Sequence, residues 1–324
     1  MKEQRKKRLL QLLKAAIVIY TFIYVYYKAF VDYDIDQLIR EYSATLEHLS
    51  PLALAVAVIL FALNWGLEAQ KWRFLIGAQE QLSLLQAYKA VFSGSTISLI
   101  TPNRIGEYAG RVIHLQQMDK IKAAFTTVVG SFAQLSITVV AGSICFALQL
   151  DLFIPQHSLA TQMVVVLCVV MVAGTLILYY NMWLLSAISK RFPLLNKIVR
   201  YFHVFEEYDS KALTTVLVLS LLRYAVFTLQ YLLLLYAFKS GVPVLHAIQV
   251  IAIIFFVQAV VPSFTLSDLG IRGASALYFF SFFTNKHLAI LLSAYGLWVI
   301  NLIVPALLGL ILILRYRILE HRNK

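Results

Sequence analysis

Two stretches of this sequence carry ionisable groups inside apolar surroundings, where charge is costly. The first is Thr101-Pro102-Asn103-Arg104-Ile105-Gly106-Glu107-Tyr108-Ala109-Gly110-Arg111, and the second is Pro262-Ser263-Phe264-Thr265-Leu266-Ser267-Asp268-Leu269-Gly270-Ile271-Arg272-Gly273. Each sets a carboxylate four residues before an arginine, Glu107 before Arg111 and Asp268 before Arg272. That spacing puts both groups on one helix face. A charge at the centre of a bilayer costs at least ~2.5–3.5 kcal/mol, so such groups need partners or a water-filled cavity. Two chemistries are open. Either the pairs neutralise each other and hold the backbone in shape, or the arginines bind phosphate bidentately while the carboxylates orient them or meet a cationic group on a ligand.

Local signals refine this picture. Thr101-Pro102 has the form of an N-cap and a first-turn proline, so a short helix is expected to begin there with Arg104 in its first turn. Its free amides and positive dipole end favour an anion. In the second stretch Pro262 interrupts the apolar run, and Ser267 is placed to cap a helix opening with Asp268. Gly106, Gly110, Gly270 and Gly273 let another backbone or a ligand approach closely. Arg223 lies about 18 Å into a further apolar run that starts near Lys211, at ~1.5 Å per residue. It is a candidate for ligand contact and equally for a structural partner of Glu107 or Asp268. Glu68, Lys71 and Arg73 stand near a span end beside Trp65 and Trp72, where snorkelling and an aromatic belt account for them.

Other chemistries lack support. The seven histidines are scattered without metal-ligand spacing, so neither a metal site nor a cofactor is expected. No nucleophile elbow or phosphate-binding loop is present, and no residue is assigned a catalytic role. Cys145 and Cys168 sit in apolar runs and read as small hydrophobes. Asp32, Asp34 and Asp36 form an acidic cluster without the glycine and distal glutamate of a calcium loop.

The elements that must position these residues are membrane helices. Of the 324 residues, 60% are hydrophobic and 14% charged, far outside the range of soluble domains. The formal charge of +12 comes from lysines and arginines at the ends of apolar runs, which suits anchors at a lipid surface and speaks against nucleic acid. Six segments can span a bilayer: 9–30, 51–74, 122–150, 159–185, 211–238 and 287–314. Regions 82–118 and 243–283 are apolar but broken. If both are re-entrant hairpins, or tight pairs of helices, the basic clusters all fall on the cytoplasmic side, along with both termini, and residues 32–47 and 149–158 fall outside. The expected fold is therefore all-α and polytopic, with two inverted-topology halves and two opposed broken-helix hairpins. An N-terminal half spans 1–186, a basic amphipathic helix on the inner leaflet spans 187–210, and a C-terminal half spans 211–324.

The first stretch resembles the P-x-R-x-G-E signature, followed by an arginine, of the lysylphosphatidylglycerol synthase transmembrane family of flippase-like proteins. Pro102, Arg104, Gly106, Glu107 and Arg111 match it. The second resembles that family's G-x-R-E pattern through Gly270 and Arg272, with Pro262 preceding. It departs where Gly273 replaces the glutamate and where Ser267 and Asp268 replace glycines, Asp268 offering a carboxylate one turn earlier. The resemblance covers essentially the whole chain and implies the membrane module without the aminoacyl-transferase domain. By that resemblance the chain is expected to bind a phospholipid or isoprenoid-linked lipid by its headgroup and to move it between leaflets of the inner membrane, and the residues expected to line the cavity from their own spacing and depth are Arg104, Glu107, Arg111, Arg223, Asp268 and Arg272. A homodimer or a partner lipid-modifying enzyme is an accompanying expectation. The competing readings are a polyprenyl-phosphate-sugar glycosyltransferase using an acidic outer loop, and a non-catalytic scaffold.

Overall fold

The computed structural model describes residues 23–27, 43, 47–101, 104–153, 158–191, 199–261 and 265–322. Among them every regular element is helical, and five helices are long and apolar enough to cross a membrane. The chain is thus an all-α polytopic membrane protein. Most of the span expected at 9–30 and all of the acidic cluster at 32–36 lie outside the described residues.

The long helices start at clear signals. Helix α1 (Pro51–Ile76) opens on a proline, whose missing N–H is no loss in a first turn. The first broken region forms α2 (Leu84–Leu99), begun by a capping box between Ser83 and Gln86, and then α3 (Gly106–Arg111), which runs into a 3-10 turn at Val112–His114. Helix α4 (Lys120–Leu148) is capped by Asp119, whose carboxylate accepts from the amides of Ile121 and Lys122. Helix α5 (Leu159–Tyr180) starts at Ser158 and stops earlier than the expected 185, because the chain turns at Asn181 before the short α6 (Trp183–Ser189). Only Cys168 and Tyr179 of α5 are buried, as suits an all-round apolar helix facing lipid.

Of the linker, residues 192–198 lie outside the described residues, and Val199–Glu206 forms a 3-10 helix. Its apolar side faces protein: Tyr201, Val204 and Phe205 are buried, and Phe125 of α4 stacks among Tyr201, Phe202 and Phe205.

In the second half, α7 (Ser210–Ala237) is capped by Asp209. The second broken region forms α8 (Val244–Val260) and α9 (Thr265–Phe280). Helix α10 (His287–Trp298) passes through a π turn at Val299–Ile303 into α11 (Val304–Arg322).

The two broken hairpins are closed at their bases. In the first, the Glu80 carboxylate accepts the backbone N–H groups of Gln116, Gln117 and Met118, each at 3.0 Å, beside the C-terminal end of α1. In the second, the Thr284 hydroxyl donates to the Ser240 carbonyl at 2.8 Å and Lys286 Nζ to the Lys239 carbonyl at 2.7 Å. That base adjoins the N-terminal end of α1, where the Ser50 amide donates to the Ala237 carbonyl at 3.0 Å. The hairpins therefore enter from opposite ends of the bundle, and their tips meet between Arg104 and Asp268, 3.9 Å apart.

Helix α1 lies against α7 along much of its length, with α4 alongside both. Small side chains suit this closeness: Ala57 and Ala69 of α1 and Ala123 and Ala133 of α4 are fully buried, as is usual where membrane helices cannot rely on a hydrophobic drive towards each other.

Candidate functional site

Glu68 is the hub of the site. On α1 it sits in a wall of Trp65, Ala69 and Trp72, with only 4% of the residue exposed. It accepts three cations: Lys71 at 2.8 Å from its own helix, Arg111 at 2.6 Å from α3, and Arg223 at 3.1 Å from α7. Arg111 is shared, since it also pairs with Glu107 one turn earlier on α3. Flat aromatic faces complete the cations' surroundings: Arg111 lies over Trp72 at 5.6 Å, and Arg223 lies over Trp65 and Phe227 at 5.4 and 5.1 Å. Such contacts stabilise a desolvated guanidinium by about 2 kcal/mol.

The snorkelling account of Glu68 and Lys71 is thereby corrected. The Lys71 ammonium is buried inside the bundle, within 3.4 Å of the Gly130 carbonyl and the Ser220 hydroxyl, and Trp65 and Trp72 are core residues rather than an interfacial belt. Arg223, halfway along the 28-residue α7, does find a carboxylate, but it is Glu68 rather than Glu107 or Asp268. The sequence signal for the hub was the charged pair three residues apart inside an otherwise apolar run.

Hairpin one delivers its residues through close backbone contact. The helix expected at Thr101 begins instead at Gly106, and the Thr101 hydroxyl caps it across the turn by accepting the Gly106 amide at 2.8 Å. Pro102 and Asn103 lie outside the described residues. Arg104 precedes the helix, with a left-handed φ of 57°, and its half-exposed side chain reaches towards Asp268 of the second hairpin at 3.9 Å. At Gly110 an added Cβ would stand 2.5 Å from Gly94 Cα and from the Ser93 carbonyl oxygen, so the absence of side chains at both glycines sets how near α3 lies to α2. Gly106 meets the Ile97 carbonyl in the same way.

Hairpin two contributes a simpler pair. Arg272 Nε donates to Asp268 Oδ2 at 2.9 Å, the i,i+4 contact expected from spacing. Ser267 lies inside α9, which starts at Thr265, so it does not cap the helix as expected. Pro262 lies outside the described residues. Gly270 is buried, and Gly273 packs against the Tyr295 hydroxyl, so neither lies open to a ligand.

Between the tips lies a cavity of two lobes, about 220 and 570 Å³, that share Arg104, Glu107, Gln134, Arg223, Gln258 and Arg272 in their walls. The larger lobe reaches Asp268 and the Glu68–Lys71 pair and passes Leu135 and Val260, both on the outward apolar surface. Its mouth thus faces the side of the bundle. The smaller lobe reaches Trp65, Ser95 and Asn301. Of the six charged residues singled out from sequence, five line this cavity. Arg111 does not; it stands behind the wall, locked between Glu68 and Glu107.

A polar ladder that sequence reading missed supports the wall. Asn64 donates to Asn301 at 2.5 Å, Asn301 to Gln230 at 3.1 Å, and Gln230 to the Ala57 carbonyl at 2.9 Å. Asn301 reaches inward from the π turn, a distortion often found at functional positions. Among the described residues no cluster of three or more metal-ligating side chains occurs.

A family model described as the lysylphosphatidylglycerol synthase TM region matches residues 11–309. No curated protein matches the chain.

Proposed function

From the premise that this chain belongs to the lysylphosphatidylglycerol synthase transmembrane family, whose members are tied to lipid modification or translocation, we propose that it is a lipid translocase. The observation that carries this reading is the position of the arginine-lined cavity: it lies where two hairpins from opposite ends of the bundle meet, and it opens sideways between Leu135 and Val260. A headgroup can enter there while acyl tails stay among apolar side chains. Opposed broken helices around a central cavity suit alternating access, in which one hairpin or bundle rocks against the other.

In this reading Arg104, Arg223 and Arg272 contact the headgroup, Asp268 orients Arg272 and reaches Arg104, and Glu68 orients Arg223, while Glu107 holds Arg111. Arg111 and Glu68 act behind them as positioning residues. The protein resides in the inner membrane with both termini cytoplasmic, so hairpin one dips in from the cytoplasm and hairpin two from the opposite side. A second copy or a lipid-modifying enzyme acts as its partner. No catalytic step and no cofactor enters this scheme.

The test is a liposome assay in which the purified protein moves acyl-labelled phosphatidic acid, phosphatidylglycerol or phosphatidylcholine out of reach of a membrane-impermeant quencher. Wild type accelerates transfer of at least one of these lipids. Arg272→Ala slows it at least ~tenfold, since one charge-assisted hydrogen bond is worth ~1.5–3 kcal/mol. Equal transfer by protein-free liposomes and by both proteins overturns the proposal.

A further inference from the structure

The walls of the cavity are unbalanced in two respects. The first is charge. The residues that line it or pair directly with its lining comprise the cations Lys71, Arg104, Arg111, Arg223 and Arg272 and the carboxylates Glu68, Glu107 and Asp268. Five cations face three carboxylates, a surplus of two positive charges. The surplus shows at Arg104, whose half-exposed side chain has, among the described residues, Asp268 as its one carboxylate within 4 Å, at 3.9 Å, and Asp268 is already engaged by Arg272.

The second imbalance is in hydrogen bonding. Among the described residues that line the smaller lobe, the indole N–H of Trp65, the hydroxyl of Ser95 and the Nε–H of Arg223 are buried without a hydrogen-bond partner, as is the acceptor Gln134 Oε1. Each buried donor left unpaired costs ~1–3 kcal/mol, so a ligand rich in acceptor oxygens restores what the empty lobe lacks.

We infer that the cavity selects a phosphate monoester dianion, a terminal phosphate bearing two negative charges, over a phosphodiester or a zwitterionic headgroup. The inference rests on the translocase reading and names the headgroup class it takes. A dianion matches the surplus of two, and its three terminal oxygens accept from Arg104, Arg223, Arg272 and the Ser95 and Trp65 donors. A phosphodiester brings one charge and two free oxygens, which leaves one surplus cation unpaired. A choline headgroup adds a cation to a site that already has too many.

The experiment is equilibrium binding to the purified full chain in detergent, with dioctanoyl phosphatidic acid, dioctanoyl phosphatidylglycerol, dioctanoyl phosphatidylcholine and inorganic phosphate as probes at pH 5 and pH 8. Phosphatidic acid should bind at least ~tenfold tighter than phosphatidylglycerol at pH 8, given the size of one extra charge interaction in a partly shielded site. Its affinity should rise from pH 5 to pH 8, because a phosphate monoester loses its second proton near pH ~6, while that of phosphatidylglycerol stays level. Arg104→Gln, at a half-exposed position, should weaken phosphatidic acid more than phosphatidylglycerol, and Ser95→Ala should weaken it by a smaller factor. Phosphatidylglycerol or phosphatidylcholine binding as tightly as phosphatidic acid at pH 8 overturns the dianion inference and leaves the translocase reading standing. Inorganic phosphate binding as tightly as phosphatidic acid supports the dianion site and overturns the lipid cargo. If no probe binds a protein that melts cooperatively, both fall.

Discussion

Replacing Glu68 with glutamine removes one carboxylate from among three cations. Lys71 at 2.8 Å and Arg223 at 3.1 Å then lose the one carboxylate each pairs with among the described residues, whereas Arg111 keeps Glu107. Glutamine preserves the shape, so the effect is electrostatic rather than a cavity. Breaking a buried ion pair from one side costs ~3–5 kcal/mol, because the remaining charge is left desolvated and unpaired. At roughly 2 °C per kcal/mol for a chain of this size, the melting temperature should fall by about 6–10 °C. Tryptophan fluorescence during heating in detergent is a suitable readout, since Trp65 and Trp72 lie against Arg223 and Arg111. Adding Lys71→Met to Glu68→Gln removes one stranded cation and should recover part of the loss, a coupling of at least ~1 kcal/mol. A Glu68→Gln protein that melts within about 2 °C of wild type, or strict additivity in the double variant, would refute the role of Glu68 as the hub.

Two further substitutions separate packing from surface chemistry. Gly110→Ala must push α3 from α2, as its Cβ would stand 2.5 Å from Gly94 Cα, so stability should fall by ~1–3 kcal/mol with loss of transport; an unchanged melt and transport rate would show that the helices can slide apart freely. At Glu80, outside the spans, burial pushes the carboxyl upward, but the three amides of Gln116, Gln117 and Met118 outweigh it and hold the pKa below the usual carboxylate range. A depressed folded-state pKa stabilises the fold above the unfolded value of ~4.3, and this stabilisation is lost as pH falls through the folded value. Glu80→Gln should therefore lower the melting temperature at pH 7, and its gap from wild type should narrow as pH falls through the depressed folded value; a gap unchanged all the way to acid unfolding would contradict the amide clamp.

What the sequence made legible follows from the range of the interactions. The i,i+4 pairs Glu107–Arg111 and Asp268–Arg272 are local, and both form as spaced. The breaks in 82–118 and 243–283 were legible because proline, glycine and charge interrupt an apolar run, and each region folds as two helices. Glu68 escaped because a carboxylate near aromatic residues and a lysine looks the same whether it faces lipid headgroups or a core. Its partners Arg111 and Arg223 lie on other helices, and only tertiary packing brings them together. The same holds for Asn64, Gln230 and Asn301, each an unremarkable amide in its own helix. The cap at Thr101 was the right residue with the wrong reach: its hydroxyl crosses the turn to Gly106 rather than opening a helix at Pro102.

The π turn at Val299–Ile303 has a mechanical consequence. Before it, α10 packs Ile290, Ala294 and Leu297 into the same core as Leu277 and Phe280 of hairpin two. After it, α11 is tied to hairpin one, where the Thr96 hydroxyl of α2 donates to the Ala306 carbonyl at 2.7 Å and Gly309 lies against Phe92. One residue of an ordinary helix turns through ~100°, so the widened turn resets the azimuth of everything that follows it. A single span thus packs against both hairpins, and the π turn between its two packed stretches sets the angle at which each is held.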